Sequence, residues 1–417
     1  MLHFHRFQLA NGLTVIFHQD KTTPMAVVNT LYDVGARDED PNRTGFAHLF
    51  EHLMFGGSVN IPDFDSPLQR AGGESNAFTS NDITNYYDVL PSQNIETALW
   101  LESDRMLSLA FSEKSLEVQR SVVIEEFKQR YLNQPYGDVW LALRPLAYRV
   151  HPYQWATIGK EISHIEHATM DQVKHFFGTY YHPSNAILTV GGNFENAQIE
   201  DLVQKWYGDI PGKNKPARML LREPQQNEYR TLSLERKVPT PAFYYAFKMS
   251  ERKSAGYYLA DVLSDEIGKE KSGQLDLQLK KEKGLVLEIS AYILGSLDEG
   301  LFMVSGKLVP GKSFEELDAA LWQVLDGFKS NPISENDLLR LRRKAKTSRA
   351  FQEQGLLNRA MNLSFFELLG DAEGINQEET IYNSIKAEDL QSCANELFVP
   401  SNCSRLFIHP ENPSHES

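Results

Sequence analysis

The sequence is poor in the residues that crosslink a chain or carry it through a membrane. Among its 417 residues only Cys393 and Cys403 are cysteines, which excludes a disulfide framework. Two cysteines cannot hold zinc alone, so a zinc site would need histidine and carboxylate ligands. No apolar run approaches the roughly 18 residues of a membrane-spanning helix. The N-terminus lacks a basic stretch followed by an apolar one, so we expect a cytoplasmic protein unless a leader for the periplasm or an organelle was removed.

Positive charge is also scarce. The chain has 42 Lys and Arg residues against 56 Asp and Glu, a net charge of -14. Proteins that bind nucleic acids usually present a basic face, so this balance argues against a nucleic-acid partner and against docking to anionic membranes. Hydrophobic residues at 41% and charged residues at 24% are ordinary for a globular protein. Because single cores stop growing at about 250–300 residues, at least two domains are expected.

The pattern of strands and helices occurs twice along the chain. The stretch 210–227, with three prolines, a glycine and polar residues, interrupts it, and a similar order then resumes. Pro183-Ser184-Asn185 recurs 217 residues later as Pro400-Ser401-Asn402, each time between a helical pattern and a strand pattern. This repeat predicts a tandem duplication. We therefore predict an α+β fold of two homologous α/β-sandwich domains, 1–215 and 229–417, each a mixed sheet with helices packed on it, joined by the linker 216–228.

The most informative motif is His48-Leu49-Phe50-Glu51-His52. It lies in a predicted helix over 44–57, with Thr44 as its N-cap and Gly56-Gly57 as its stop. Residues four apart share a helix face, so His48 and His52 can bind one metal ion. Glu51 borders that face and could accept a proton from water. H-x-x-E-H is the reversed counterpart of the zinc-protease motif H-E-x-x-H. The alternative is a histidine-rich surface turn.

A catalytic zinc site needs a third protein ligand. The candidate segment is Val122-Val123-Ile124-Glu125-Glu126, where two acids end an apolar run inside a predicted helix. One of them should face inward with the apolar stripe. In the alternative, both acids are solvated charges on the helix surface. The residues alone leave this choice open.

Several motifs occur together in one order. They are LANGLTVI at 9–16, the H-x-x-E-H helix, GGESNAFTSNDITNYY at 72–87, VVIEE at 122–126 and the repeated PSN. In this combination the chain resembles the M16, or pitrilysin-type, zinc metallopeptidases, which include insulysin and the mitochondrial processing peptidase, over essentially its whole length and in the short-chain branch. The resemblance implies a zinc endopeptidase with one Zn2+ per chain. It also implies that the two halves enclose a chamber like a clamshell on dimerisation, with peptides or unfolded segments as substrates.

The resemblance assigns roles to individual residues. His48 and His52 match the two histidine ligands of zinc, and Glu51 matches the general base. Glu126 matches the third ligand, with Glu125 as its competitor. Gln119 stands seven residues before Glu126, where the family has an accessory acid; glutamine can hydrogen-bond a ligand from a second shell but carries no charge.

The segment Asn76-Ala77-Phe78 matches the family's edge strand beside the zinc, where an extended peptide can bind by main-chain hydrogen bonds. The resemblance therefore implies that these residues bind substrate. An ordinary sheet strand is the alternative, and the side chain of Phe78 is expected to lie in the core.

The second half lacks the residues of a working site. Tyr258, Asp261 and Val262 stand where the first half has its zinc motif. Lys280 and Leu287 stand where active relatives have an Arg and a Tyr that bind substrate. The resemblance then implies a heterodimer, in which a homologous subunit without zinc supplies that pair. The alternative is a monomer or homodimer in which Lys280 serves as a weaker clamp.

Two other function classes compete with the peptidase. One is a non-catalytic scaffold subunit of the same fold, which would have no chemical need for a complete ligand set and Glu51. The other is a peptide-binding module that holds zinc only structurally.

Overall fold

Strand-forming runs of β-branched and aromatic residues build two mixed β-sheets in a computed structural model that describes residues 1–218, 220–269 and 273–411. The first sheet has the order β1-β2-β6-β3-β5-β4 and the second β7-β11-β8-β10-β9. The strands are β1 (His5–Gln8), β2 (Thr14–Gln19), β3 (Met25–Tyr32), β4 (Glu74–Thr79), β5 (Thr84–Pro91), β6 (Ala186–Gly192), β7 (Arg230–Arg236), β8 (Ala242–Met249), β9 (Val286–Leu294), β10 (Gly300–Leu308) and β11 (Cys403–Pro410).

Helices lie between the strands in chain order. They are α1 (Phe46–Leu53), α2 (Asp65–Arg70), α3 (Ile95–Leu107), α4 (Glu113–Phe127), α5 (Val139–Ala147), α6 (Ile162–Glu166), α7 (Met170–Tyr180), α8 (Asn196–Tyr207), α9 (Ala255–Ser264), α10 (Phe314–Ser330), α11 (Glu335–Gln352), α12 (Leu356–Leu369), α13 (Gly374–Ser384) and α14 (Ala387–Leu397). Between Tyr207 and Arg230, the described residues form neither helix nor strand.

The two sheets repeat one design. The order β2-β6-β3-β5-β4 returns as β7-β11-β8-β10-β9, and in each of these five-strand orders the first pair is parallel and the other pairs are antiparallel. The asparagine of the PSN repeat also has the same structural role in both halves. The amide of Asn185 donates to Tyr180 O at 2.9 Å, and that of Asn402 donates to Leu397 O at 3.0 Å, each fixing the turn from a helix into a strand. The predicted α+β fold of two related units is confirmed.

Neither unit is a continuous stretch of chain. The first consists of 1–127, 155–220 and 349–378, and the second of 128–154, 221–348 and 379–417. The sequence predicts a single boundary within 216–228. That boundary does not account for the segments 128–154 and 349–378, each of which belongs to the unit built mostly from the other half of the sequence. Each of these segments carries a helix that packs on a sheet built mostly from the other half of the sequence.

The crossing helices are equivalent. Helix α12 packs on β6, β3 and β2 of the first sheet, and α5 packs on the equivalent β11, β8 and β7 of the second. They start at Val139 and Leu356, 217 residues apart, which is the spacing of the PSN repeat. Buried Leu143 packs with Ala242, while buried Leu363 packs with Ile16. The duplicated halves thus exchange the same helix.

Candidate metal centre

Helix α1, which carries the histidine motif, has a buried apolar face and a partly buried polar face. Leu49 and Phe50 are buried at 0% exposure and hold the helix against the core, while His48, Glu51 and His52 are only partly buried. The helix packs beside α4 and the strand β4. The motif side chains therefore lie where a helix and an edge strand can complete a site around them.

The start of α1 differs from the prediction. Thr44 was expected to be the N-cap, but the helix begins at Phe46 and its N-cap is Gly45, which has a φ of 90°. The Thr44 hydroxyl instead accepts from the backbone N–H of Lys160 at 2.8 Å and is hydrogen-bonded to His164 Nδ1 at 2.8 Å. The N-cap has no side chain, so the acceptors for the first turn of α1 must come from elsewhere.

The structure brings His48, His52 and Glu126 together. Glu126 Oε2 lies 3.6 Å from His48 Nε2 and 3.4 Å from His52 Nε2. One ligand atom from each residue lies within 4.8 Å of the other two. Ligands at about 2.0–2.1 Å from a tetrahedral zinc are about 3.3 Å apart, so this cluster fits a zinc ion. Among the described residues, no other set of three His, Cys, Asp or Glu side chains comes this close.

The geometry distinguishes the two acids of α4. Glu126 is partly buried, with its side chain 17% exposed, and faces the histidines. Glu125 is exposed and is not part of the cluster. Gln119 is half-buried on the same helix, two turns before Glu126. Arg120 fixes the helix by donating to Glu166 O at 3.0 Å and Ala168 O at 3.3 Å.

Glu51 is held by a residue that the sequence reasoning missed. Thr79 Oγ1, at the end of β4, donates to Glu51 Oε2 at 2.6 Å. Burial raises the pKa of Glu51, while the hydrogen bond from Thr79 and the nearby His52 act in the opposite direction. A carboxylate with a raised pKa is a stronger base than one in water. A threonine at the end of a strand is common, so no sequence signal singled out Thr79.

The strand β4 lies at the edge of the first sheet, with β5 as its antiparallel neighbour. Asn76, Ala77 and Phe78 therefore belong to a strand with one unpaired side. The expectation that Phe78 is a core side chain is wrong, because it is 39% exposed. Exposed and partly buried residues alternate along β4, and Phe78 lies on the exposed face, opposite to that of Thr79.

The second half uses the corresponding positions for structure. Buried Tyr258 accepts through its hydroxyl from Arg252 at 2.9 Å, and Asp261 accepts from the Tyr382 hydroxyl at 2.8 Å. Lys280 is exposed, and Leu287 is 44% exposed on the edge strand β9.

No helix in the described part of the chain combines the length and the apolar character needed to cross a bilayer.

The fold and the histidine motif define a class, the M16 metallopeptidases. Residues 14–159 match the family model described as insulinase (peptidase family M16), and residues 167–345 match the one described as peptidase M16 inactive domain. The chain belongs to peptidase family M16. The second description fits a half in which Tyr258, Asp261 and Val262 replace the motif.

Two relatives are similar in sequence to this chain over nearly its full length. The chain is 28% identical over 408 residues to the zinc protease PqqE of Helicobacter pylori, covering 96% of this chain and 92% of that protein. It is 24% identical over 399 residues to the uncharacterized zinc protease YmxG of Bacillus subtilis, covering 94% and 95%. The crystal structure of a protease from Helicobacter pylori superposes with a TM-score of 0.93 at 28% identity, covering 98% of this chain and 100% of that one.

Proposed function

We propose that the chain is a zinc-dependent endopeptidase that cleaves peptides or unfolded segments. The observation that carries this proposal is the convergence of His48, His52 and Glu126, with Glu51 beside them in the same helix as the two histidines. The relatives named zinc proteases support the same activity. Three protein ligands leave the fourth position of a tetrahedral zinc open, as catalytic sites require.

A zinc ion bound there would supply Lewis acidity, which activates water and polarises the scissile carbonyl. The proton is handled by Glu51. The Thr79 hydroxyl orients the Glu51 carboxylate by donating to Oε2, and this carboxylate accepts the proton of the attacking water. Glu51 then passes the proton to the leaving amine.

The edge strand β4 is the proposed binding surface for the substrate. An extended peptide beside Asn76, Ala77 and Phe78 would pair with main-chain groups on the open edge of this strand, where the Ala77 N–H now donates to Asn76 Oδ1 at 2.8 Å. Such bonds carry little sequence information, so we expect broad specificity. Gln119 would act as a neutral hydrogen-bonding partner near the metal ligands.

The active enzyme is proposed to be a heterodimer whose chains enclose a chamber. Lys280 and Leu287 lack the fork of an arginine and the hydroxyl of a tyrosine, so this chain brings no Arg–Tyr pair to the substrate. A homologous subunit without zinc would supply it. One relative, 26% identical over 212 residues and covering 50% of this chain and 45% of that protein, is the mitochondrial-processing peptidase subunit beta of Saccharomyces cerevisiae, by name one subunit of an assembly.

The activity is tested with Glu51→Gln. The variant should keep zinc and its fold, while cleavage of a quenched fluorescent peptide falls by about 100- to 10,000-fold, because the amide cannot accept the proton. Activity within a few-fold of wild type in the zinc-loaded variant would contradict the general-base role of Glu51. Wild-type protein that holds zinc but never cleaves a peptide, alone or mixed with a homologous subunit, would point to structural zinc.

The assembly is tested separately. Purified alone, the chain should cleave poorly, and adding the homologous subunit should raise kcat/KM. Substitution of that subunit's Arg or Tyr should reverse the gain. If the isolated chain is fully active and Lys280→Ala abolishes its activity, the heterodimer proposal is wrong and Lys280 is the clamp.

A further inference from the structure

A buried carboxylate outside the histidine motif holds the N-terminal end of helix α1. Glu39 is 6% exposed and lies in the loop before the helix. Its Oε2 accepts from the backbone N–H of Gly45 at 2.8 Å, and its Oε1 accepts from that of Ala47 at 2.8 Å. The indole of Trp155 donates to Oε2 at 3.1 Å. Both oxygens are therefore engaged, and two of the three donors belong to the start of the helix that carries His48, Glu51 and His52.

This arrangement replaces an ordinary N-cap. The first N–H groups of a helix have no partner within the helix, and a Ser, Thr, Asp or Asn at the N-cap usually accepts from them. Gly45 has no side chain that could accept. Its positive φ and the atoms packed around it both disfavour a larger residue at this position. A Cβ built there would lie 2.7 Å from Ile158 O and 2.7 Å from Ile165 Cδ1. Glu39 supplies the missing acceptors from six residues upstream.

Burial of Glu39 disfavours its charged form, and its pKa shows this. Burial raises the pKa of Glu39 to about 8, although all three hydrogen bonds act to lower it. If the only requirement were a capped helix, an exposed acceptor would serve without that cost. The buried group instead connects α1 to Trp155, whose indole also donates to Ala36 O at 2.9 Å, three residues before Glu39.

The helix is short, so its start fixes its whole placement. Ala47, whose N–H bonds to Glu39, directly precedes His48, and the motif ends at His52 one turn later. A shift of the first turn would move both imidazoles relative to Glu126, which belongs to a different helix. Ligand atoms separated by 3.4 and 3.6 Å tolerate little such movement if they are to share one zinc.

We propose that Glu39 is a positioning residue for the metal centre: it fixes the first turn of α1 so that His48 and His52 meet Glu126 at the spacing that zinc requires. The proposal rests on the proposed zinc-peptidase function. It concerns the placement of the ligands, and Glu39 itself touches neither substrate nor metal.

The test is Glu39→Gln. Whichever way the amide is turned, its nitrogen faces N–H donors in place of an oxygen, so at least one hydrogen bond to the helix or to Trp155 is lost whatever the charge state of Glu39. We expect zinc affinity, measured by competition with a chelator, to fall by about 10- to 100-fold in the folded variant. We expect kcat at saturating zinc to fall as well, with KM little changed, because β4 is untouched.

The matched control is Asp40→Asn. Asp40 is an exposed neighbouring acid that accepts from Asn42 N at 2.9 Å and pairs with Arg43, and it bonds to no residue of α1. This variant should keep zinc affinity and kcat within about twofold of wild type. A role of Glu39 in fold stability alone would lower the melting temperature and leave both quantities unchanged in the folded protein.

Zinc affinity and kcat within about twofold of wild type in Glu39→Gln would overturn the proposal. An equal loss in Asp40→Asn would overturn it too. If Glu39→Gln does not fold, Trp155→Phe decides, because it removes one donor and keeps the carboxylate; a drop in zinc affinity supports the proposal and an unchanged affinity overturns it. Wild-type protein without zinc affinity would overturn the proposed function itself, and this inference with it.

Discussion

At the scale of single residues, the proposed base is defined by its neighbour as much as by its own chemistry. Glu51 lies beside His52 in a helix, but the group that orients its carboxylate comes from the strand β4, through Thr79. This bond ties the proton acceptor to the strand on which a peptide would lie. Base and substrate would then move together.

Thr79 is open to a direct test. Thr79→Val should leave zinc bound but lower kcat by about tenfold or more, because Glu51 loses the hydrogen bond that orients it. Thr79→Ser, which keeps the hydroxyl, is the matched control and should retain most of the activity. Zinc content and the rate of peptide cleavage are the two measurements. Equal rates for the valine variant and wild type would show that Glu51 needs no such orientation.

The two acids of α4 give the second prediction. Glu126→Ala should lose zinc, because only two ligands remain, whereas Glu125→Ala should keep about one zinc per chain. Metal analysis after dialysis distinguishes them. Retention of zinc in Glu126→Ala would require another third ligand.

The sequence predicted the residues of the histidine motif, but it did not predict the residues that hold helix α1 and Glu51 in place. The H-x-x-E-H spacing predicts shared geometry because both histidines lie on one helix. Thr79 and Glu39 carry no such periodicity, since they reach α1 from a strand and a loop. The exposure of Phe78 was missed because an aromatic residue in a strand more often faces a core, and nothing local shows which face of an edge strand is covered.

At the scale of elements, helix α12 is tied to the first sheet by a charge pair as well as by apolar contacts. Arg359 in this helix lies 2.6 Å from Asp20, just beyond β2. The Asp20 carboxylate also accepts from Thr22, and these contacts hold the pKa of Asp20 down at about 2, with the Thr22 hydroxyl as the largest cause. A depressed pKa means that this group stabilises the fold above the unfolded pKa of about 4 and loses that effect as the pH falls towards 2.

The third prediction follows from this sign. Arg359→Ala should lower the melting temperature at about pH 7, and the difference from wild type should shrink as the pH is lowered to about 3. Arg43→Ala removes an exposed pair with Asp40 and should change the melting temperature little at either pH. Thermal unfolding followed by circular dichroism gives both values. A difference that grows at low pH would contradict the assigned role of Asp20.

At the scale of the whole molecule, the exchange of α5 and α12 means that neither half of the sequence contains all of either unit. The first unit needs 349–378, and the second needs 128–154. The spacing of 217 residues, visible in the PSN repeat, also relates these two helices. The repeat shows which elements are equivalent, but not the sheet on which each one packs, so the sequence could not predict the exchange.

The fourth prediction concerns a cut in the connection between the halves. With a protease site inserted after Lys215 in the exposed stretch 211–215, cleavage should leave the two fragments together on size-exclusion chromatography, because each holds a buried helix of the other's unit. They should separate only in denaturant. Fragments that part in native buffer while keeping their helical signal would show that the exchanged helices contribute little.

The same exchange bears on the origin of the chain. A duplication in which each copy kept its own helix would give two self-contained repeats, and the connection could later be lengthened or lost at little cost. Here each repeat lends the same helix to the other, which is the arrangement that results when a homodimer with swapped segments is fused into one gene. In this fold the association of the two halves is therefore a condition for completing either unit, as it is between the chains of a domain-swapped dimer.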